Sequence, residues 1–301
     1  MASKWFEMRR RSFILAMSLY PIAAHAASKV PVVATFSVLA DMVHQVGGDA
    51  VAIRAFVQPD GDVHVYQPVP GDLRRLMNAA VLVENGLGLE GWLQRLAEAA
   101  KFSGVPVVAS NGATLRTIRN ERGLPVSDPH AWQDPRNGVV YVRNIAAGLT
   151  AASPTDAALF RGRADRFIAD IQQTDTWIAR QFNALPASSR RIITTHDAFG
   201  YFGARYGIEF LAAEGISTDS EPSAKGIAAL VAQIRREKIR AIFLENMTDP
   251  RLAEMLAREA GVKLGGTVYS DALSPPGGPA ATYLAMLRHN TTLFVSAMQS
   301  P

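Results

Sequence analysis

Three histidines lie in loops or at strand ends that are rich in turn-forming residues. His64 lies in "DGDVHVYQPVPGD", His130 in "VSDPHAWQDPRNG" and His196 in "IITTHDAFGYF". The prolines, glycines and aspartates around the first two disfavour a helix or a buried strand. A lone loop histidine is ordinarily solvated, but three neutral imidazoles brought together would bind zinc, manganese, iron or copper. The three histidines are therefore candidate metal ligands, although their spacing in the chain is not diagnostic.

One carboxylate would complete a site of three nitrogens and one oxygen. Asp271 in "VYSDALS" is the best candidate, because it directly follows the last predicted strand and ligands gather at the carboxyl ends of parallel strands. The other histidines are expected outside the site: His25 in the predicted export segment, His44 on the polar side of a helix, and His289 near the end of the last helix. No catalytic and no cofactor-binding residue is predicted.

Two further acidic residues have open roles. Glu245 ends the predicted strand "AIFLEN", and Asp197 directly follows His196. Each carboxyl group could be satisfied by backbone donors or a nearby base, or could orient a ligand histidine through its second ring nitrogen. Neither is included among the predicted ligands.

A glycine pattern resembling a dinucleotide fingerprint occurs at Gly86, Gly88 and Gly91. It follows the predicted strand "AAVLVEN" and opens a helix, as such a fingerprint would. However, it does not lie on the first strand-to-helix turn, and the next strand ends without an acid for the ribose. We therefore predict a tight turn and no nucleotide site.

The first 26 residues have the composition of an export signal. Arg9, Arg10 and Arg11 precede the apolar run "SFILAMSLYPIAAHAA", which ends in the small-x-small pattern Ala24-His25-Ala26. This order predicts a signal peptide over residues 1–26, read by the general or the twin-arginine pathway. The run is too short and too interrupted to anchor the chain across a bilayer. We therefore expect a periplasmic protein.

Charge and cysteine content narrow the functional class. The export segment holds four of the 31 basic residues and one of the 27 acidic residues, so the remaining 27 basic and 26 acidic residues nearly balance. A balanced charge gives no indication of nucleic-acid binding. The chain has no cysteine. This excludes disulfides, thiolate metal ligands and a lipid anchor attached to a cysteine. We expect a monomer without a lipid anchor.

Short β-rich runs alternate with helical patterns, which is typical of parallel α/β sheets. The alternation restarts after the middle of the chain, so we predict an N-terminal α/β lobe over residues 27–152 and a C-terminal α/β lobe over residues 187–301. Between them, residues 153–186 carry one apolar stripe at helical spacing and predict a linking helix of about 45–50 Å. A stiff helix restricts movement between lobes.

Seven segments in order resemble the metal-binding solute-binding proteins of zinc/manganese ABC importers: "DGDVHVYQPVPGD", "NGLGLEGWL", "SDPHAWQDPRN", "THDAFGYFGARYGI", "FLEN", "YSDAL" and "GPAATYLAMLRHN". The resemblance covers nearly the whole chain after the export segment. It implies two parallel-sheet α/β lobes joined by one long rigid helix, with a metal in the cleft between them. Position by position, it implies the ligands His64, His130, His196 and Asp271, two from each lobe.

The sequence departs from that family in ways that bear on the metal. Val63 replaces the proline usual before the first histidine, Gln67 replaces a common glutamate, and the histidine- and acid-rich insertion of many zinc members is missing. Manganese members often have glutamate where this chain has His196. Because a third nitrogen ligand suits zinc better than manganese, we expect one divalent ion as transported ligand, zinc before manganese, with iron and copper as further alternatives.

The resemblance implies capture of this ion in the periplasm and its delivery to a membrane permease with a cytoplasmic ATPase. A periplasmic metallochaperone is a further candidate partner. The alternative is a zinc hydrolase, which needs an open coordination position and a general base; the chain lacks the His-Glu-x-x-His and Gly-x-Ser-x-Gly patterns, and we predict no enzyme. A scaffold protein with an incidental metal stays open as a third interpretation.

Overall fold

The computed structural model describes residues 28–119, 124–213, 215, 217–218, 223–237, 239 and 241–299. The predicted signal peptide, with His25, lies outside these residues. Two four-stranded sheets and the helices that cover them form the two lobes. All the strand pairs within these two sheets are parallel, which confirms the predicted fold class.

The first sheet has the strand order β2-β1-β3-β4. Its strands are β1 (Val30–Phe36), β2 (Val51–Val57), β3 (Val81–Glu84) and β4 (Val105–Val108). The accompanying helices are α1 (Ser37–Gly47), α2 (Pro70–Met77) and α3 (Leu93–Ala99). Strand β1 is buried at six of its seven positions, because a central parallel strand is covered on both faces.

Two elements join this sheet to the rest of the chain. A short antiparallel hairpin is formed by β5 (Thr117–Arg119) and β6 (Pro125–Ser127). Helix α4 (Pro135–Ala152) follows, with Pro135 at its first position and the Asp134 carboxylate accepting a hydrogen bond from the Arg136 amide at 2.9 Å. A proline and an aspartate cap of this kind fix where a helix begins.

The linking helix α5 (Ala157–Asn183) has 27 residues, or about 40 Å at the usual rise. It is shorter than predicted because Pro154–Asp156 form a separate 3-10 turn and the chain leaves the helix before Pro186. Its buried face carries the predicted stripe, including Phe160, Ile171 and Phe182. Asp175 on this helix is bonded to Arg205 and Tyr206 of the second lobe.

The second sheet has the strand order β10-β9-β7-β8. Its strands are β7 (Arg191–Thr194), β8 (Glu209–Ala212), β9 (Ala241–Glu245) and β10 (Lys263–Val268). The helices of this part are α6 (Gly200–Tyr206), α7 (Ala224–Glu237), α8 (Pro250–Ala260) and α9 (Tyr283–Gln299). Among the residues described, no helix has the length and hydropathy needed to cross a bilayer.

The second sheet separates two hydrophobic cores. Ile192 and Phe243 pack into the main core, which extends through both lobes. Their chain neighbours Ile193 and Ile242 point the other way, into a small core beneath α7 and α8. This follows from the two-residue period of a strand, which sends successive side chains to opposite faces.

Candidate metal centre

Each of the four predicted site residues lies in a loop that follows a strand. His196 follows β7 and Asp271 follows β10, while the end of β9 lies between them with Glu245 as its last residue. His64 lies in the loop after β2, and His130 follows β6. The carboxyl ends of both sheets thus face one cleft, where parallel sheets ordinarily bind ligands.

The structure brings all four side chains together. Each residue offers one ligand atom, and these four atoms lie within 4.8 Å of one another. Oδ2 of Asp271 lies close to the Nε2 atom of each histidine, at 3.0 Å for His64, 3.2 Å for His196 and 3.7 Å for His130. The Nε2 atoms of His64 and His130 are 3.4 Å apart. A tetrahedral ion with bonds of about 2.0–2.2 Å separates its ligands by about 3.3–3.6 Å. The spacing therefore fits a single small cation.

The loop that carries His64 is shaped by its aspartates. Asp60 has a left-handed backbone (φ 60°), a conformation that aspartate tolerates better than most residues. The Asp62 carboxylate accepts a hydrogen bond from the His64 amide at 2.8 Å, as in an Asx turn. The indole of Trp92 donates to the Val63 carbonyl at 3.0 Å. These bonds turn the His64 ring into the cleft, where its side chain is 5% exposed.

His130 is oriented through its second ring nitrogen. Nδ1 of His130 lies 2.9 Å from Oδ1 of Asp128, and the same oxygen accepts from the His130 amide at 3.0 Å. The other carboxylate oxygen of Asp128 is paired with the Arg116 guanidinium. A carboxylate behind a ligand histidine fixes its tautomer and leaves Nε2 free for a metal. Asp128, two residues before the histidine, was not among the predicted site residues.

Glu245 has the corresponding position behind His196. Its Oε2 lies 2.6 Å from Nδ1 of His196, a close charge contact that is not aligned as a hydrogen bond. Its Oε1 accepts from the His196 amide at 2.8 Å, and Oε2 accepts from the Ser270 hydroxyl at 2.5 Å. Of the two roles left open for Glu245, orientation of a histidine therefore fits its contacts.

The remaining candidates lie away from the four ligand atoms. Among the described residues, no hydrogen bond joins the Asp197 side chain to a ligand histidine; its amide donates to the Gly215 carbonyl. His44 is exposed on α1. His289 lies 2.9 Å from the Thr267 carbonyl through Nε2. These positions agree with the expectation that neither histidine belongs to the site.

The pKa values describe a site that stabilises positive charge. Burial opposes protonation of His130, but the charge of Asp271 and the hydrogen bond to Asp128 raise its pKa to about 9. Burial also opposes protonation of His196, yet Glu245 and Asp271 raise its pKa well above the ordinary value. Burial would raise the pKa of Asp271, but the two protonated histidines hold it well below its usual range. Without a metal, the protonated rings of His130 and His196 therefore balance the negative charge of the buried carboxylates.

The glycine turn is filled by an internal carboxylate. Gly86 and Gly88 have positive φ values of 80° and 83°, as a tight turn requires. The buried Glu90 accepts hydrogen bonds from the amides of Asn85 at 2.7 Å and Gly86 at 3.2 Å, and from the Thr35 hydroxyl at 2.7 Å. The amides that would bind a phosphate in a nucleotide site are thus already occupied.

Comparison with known proteins identifies the family. The family model described as zinc-uptake complex component A, periplasmic, matches residues 32–297. This chain belongs to that family. It is similar to the manganese-binding lipoprotein MntA of Halalkalibacterium halodurans, with 32% identity over 268 residues, which cover 89% of this chain and 88% of the relative. It is also similar to the iron-binding protein YfeA of Yersinia pestis, with 29% identity over 261 residues, which cover 87% and 84%.

A solved structure of a zinc-binding protein has the same architecture. The periplasmic zinc-binding protein TroA from Treponema pallidum superposes with a TM-score of 0.86 and 30% identity, over 91% of this chain and 100% of that one. Membership confirms the predicted resemblance and makes the chain a metal-binding component of an importer and not an enzyme. The three relatives are named for three different metals.

Proposed function

We propose that this protein captures one divalent metal ion in the periplasm through His64, His130, His196 and Asp271, and delivers it to an ABC-type permease with its ATPase. The observation that carries the proposal is the convergence of the four ligand atoms within 4.8 Å. His130, His196 and Asp271 are fully buried, and such groups are retained in a protein when they are paired or bind a metal. A metallochaperone that loads the site is a further candidate partner.

We propose zinc as the preferred ion. Three imidazole nitrogens and one carboxylate oxygen suit zinc, whereas carboxylate-rich sites suit manganese. Manganese stays the second candidate because of one observation. Oδ1 of Asp271 is buried and has no hydrogen-bond partner among the described residues, so it could supply a fifth bond, which larger ions accept more readily.

We further propose that the chain is divided as the sequence predicts, with a signal peptide over 1–26, lobes over 27–152 and 187–301, and a linking segment over 153–186. Helix α5 lies within that segment. Each lobe then contributes two ligands, so that metal binding bridges the lobes.

The test is calorimetric titration of metal-stripped protein with zinc and with manganese. We expect one ion per chain, tighter binding of zinc, and an affinity loss of at least a hundredfold in His130→Ala and His196→Ala, since removal of a ligand costs more than the 10–100-fold typical of its supporting partner. His44→Ala, a histidine exposed on α1, is the matched control. Unchanged affinity in His130→Ala would contradict the ligand set, and tighter binding of manganese would contradict the preference for zinc.

A further inference from the structure

The four ligands differ in how they are enclosed. His130, His196 and Asp271 have no exposed surface, whereas the His64 side chain is 5% exposed and its residue as a whole is half-buried. Of the four ligands, His64 therefore lies closest to solvent, and we infer that a metal ion enters or leaves on its side. The contacts that hold the His64 loop at this entrance are the ones that can control passage.

The segment before His64 is bonded to the second lobe. The Asp60 amide donates to the Leu273 carbonyl at 3.1 Å. The side-chain amide of Asn246 donates to the Asp60 carboxylate at 2.8 Å, and the Thr218 hydroxyl donates to the Asp62 carboxylate at 2.6 Å. The last two are hydrogen bonds to charged acceptors, the stronger kind.

The segment from Val63 onward is held by the first lobe instead. Trp92 binds the Val63 carbonyl, and Tyr66 donates to the Asp72 carboxylate at 2.7 Å. His64 therefore lies between an attachment to each lobe. If the lobes separate, the loop cannot keep both attachments, and the His64 ring cannot keep its distance to Asp271.

The partners on the second lobe are neighbours of the metal site itself. Asn246 directly follows Glu245, which contacts His196, and Leu273 lies two residues after Asp271. The position of the His64 loop is thus set against the same strand ends that carry the other ligands.

We propose that Asp60, Asp62 and Asn246 form an interlobe latch, which positions His64 over the bound ion and sets how long the ion stays. The latch rests on the ligand set proposed above. Breaking one of its hydrogen bonds favours the open cleft, so the ion leaves faster. Entry is unaffected, because the latch forms only when the lobes have closed.

The test uses Asn246→Ala, which removes one latch bond and no ligand. Zinc-loaded protein is mixed with an excess of a fluorescent zinc chelator in a stopped-flow instrument, and association is measured with metal-stripped protein. We expect dissociation to accelerate about two- to tenfold, the range for loss of one hydrogen bond, with an unchanged association rate. Asp62→Ala, which also releases the His64 amide, should accelerate it further.

The control is Asn78→Ala, because the side-chain amide of Asn78 donates to the Arg74 carbonyl of helix α2 on the protein surface. Zinc should dissociate from this variant at the wild-type rate. Equal dissociation in Asn246→Ala and wild type overturns the latch, and so does an equal fall in both rate constants, which indicates a damaged site. Wild-type protein that binds neither zinc nor manganese, or His64→Ala protein that binds as tightly as wild type, contradicts the proposed function instead.

Discussion

Metal binding at neutral pH should release close to two protons from this protein. In the metal-free state the pKa of His130 is about 9, so this ring is about 97% protonated at pH 7.5 by the ordinary titration relation. His196 also has a raised pKa, because Glu245 and Asp271 face it. A metal needs the neutral form of each ring, so the two protons must leave when the ion enters.

The sign of the pH effect follows directly. His130 and His196 carry protons in the metal-free protein and lose them when the metal binds. The apparent affinity for the metal therefore rises with pH, by about one logarithmic unit per pH unit for each proton displaced. We expect a slope near two between about pH 6.5 and 8, which decreases as the pH passes the raised pKa of His130, about 9. Histidines with the usual pKa of about 6.5 would each carry only about 0.1 proton at pH 7.5.

The measurement is calorimetry at pH 7.5 in two buffers of different ionisation enthalpy, corrected for metal binding by each buffer. Wild type should release nearly two protons per zinc ion. Glu245→Gln removes the negative charge that most strongly raises the pKa of His196, and its release should fall towards one. Release of less than half a proton by wild type would refute the argument that the buried carboxylates keep His130 and His196 protonated when no metal is bound.

Four further outcomes are expected. His196→Glu should shift preference from zinc towards manganese in competition titrations, because an oxygen replaces a nitrogen; an unchanged preference would count against the zinc assignment. Glu90→Gln should destabilise the protein to urea by about 1–3 kcal/mol, because a buried acceptor is replaced by a donor; wild-type stability would contradict the hydrogen bonds described. Gly148→Ala should lower the free energy of unfolding by about 1–3 kcal/mol, because the new Cβ would lie 2.1 Å from a methyl carbon of Val107. Gly162→Ala has open space around it and should raise the free energy of unfolding by about 0.5–1 kcal/mol. Equal effects of the two substitutions would be inconsistent with this packing. Finally, the metal-free protein should lose thermal stability as the pH rises from 7 through about 9, because protonation of His130 favours the folded state; a rising melting temperature would contradict the pKa.

Local patterns were enough to predict the elements that carry the site. The strand before His196 carries a pair of buried isoleucines and the strand before Asp271 ends in a buried valine, and parallel strands bring such ends to one edge. Proline and aspartate similarly indicate the start of α8, where Asp249 caps the helix and Pro250 begins it. The ligand set itself depended on a resemblance, because histidines 66 residues apart carry no local signal of their proximity.

Interactions between distant residues could not be predicted. The bond between Asp60 and Asn246 joins residues 186 positions apart, and no single sequence contains a signal for it. The hairpin of β5 and β6 was missed because three-residue strands are too short to show a period. Helix α5 differs from its predicted bounds because Ser153 and Pro154 start a 3-10 turn and not the helix itself.

The outer helices of the second lobe rest on a core of their own. Among the described residues, eight buried ones form the cluster beneath α7 and α8, while α5 and α9 contribute to the main core that runs through both lobes. Proteins open in cooperative units whose free energies follow the apolar contacts each unit must give up. Amide hydrogens of α7 and α8 should therefore exchange with deuterium through a subglobal opening, at a lower free energy than those of α5. The outer layer of this lobe can unfold and refold while the strand ends that carry His196 and Asp271 stay in place.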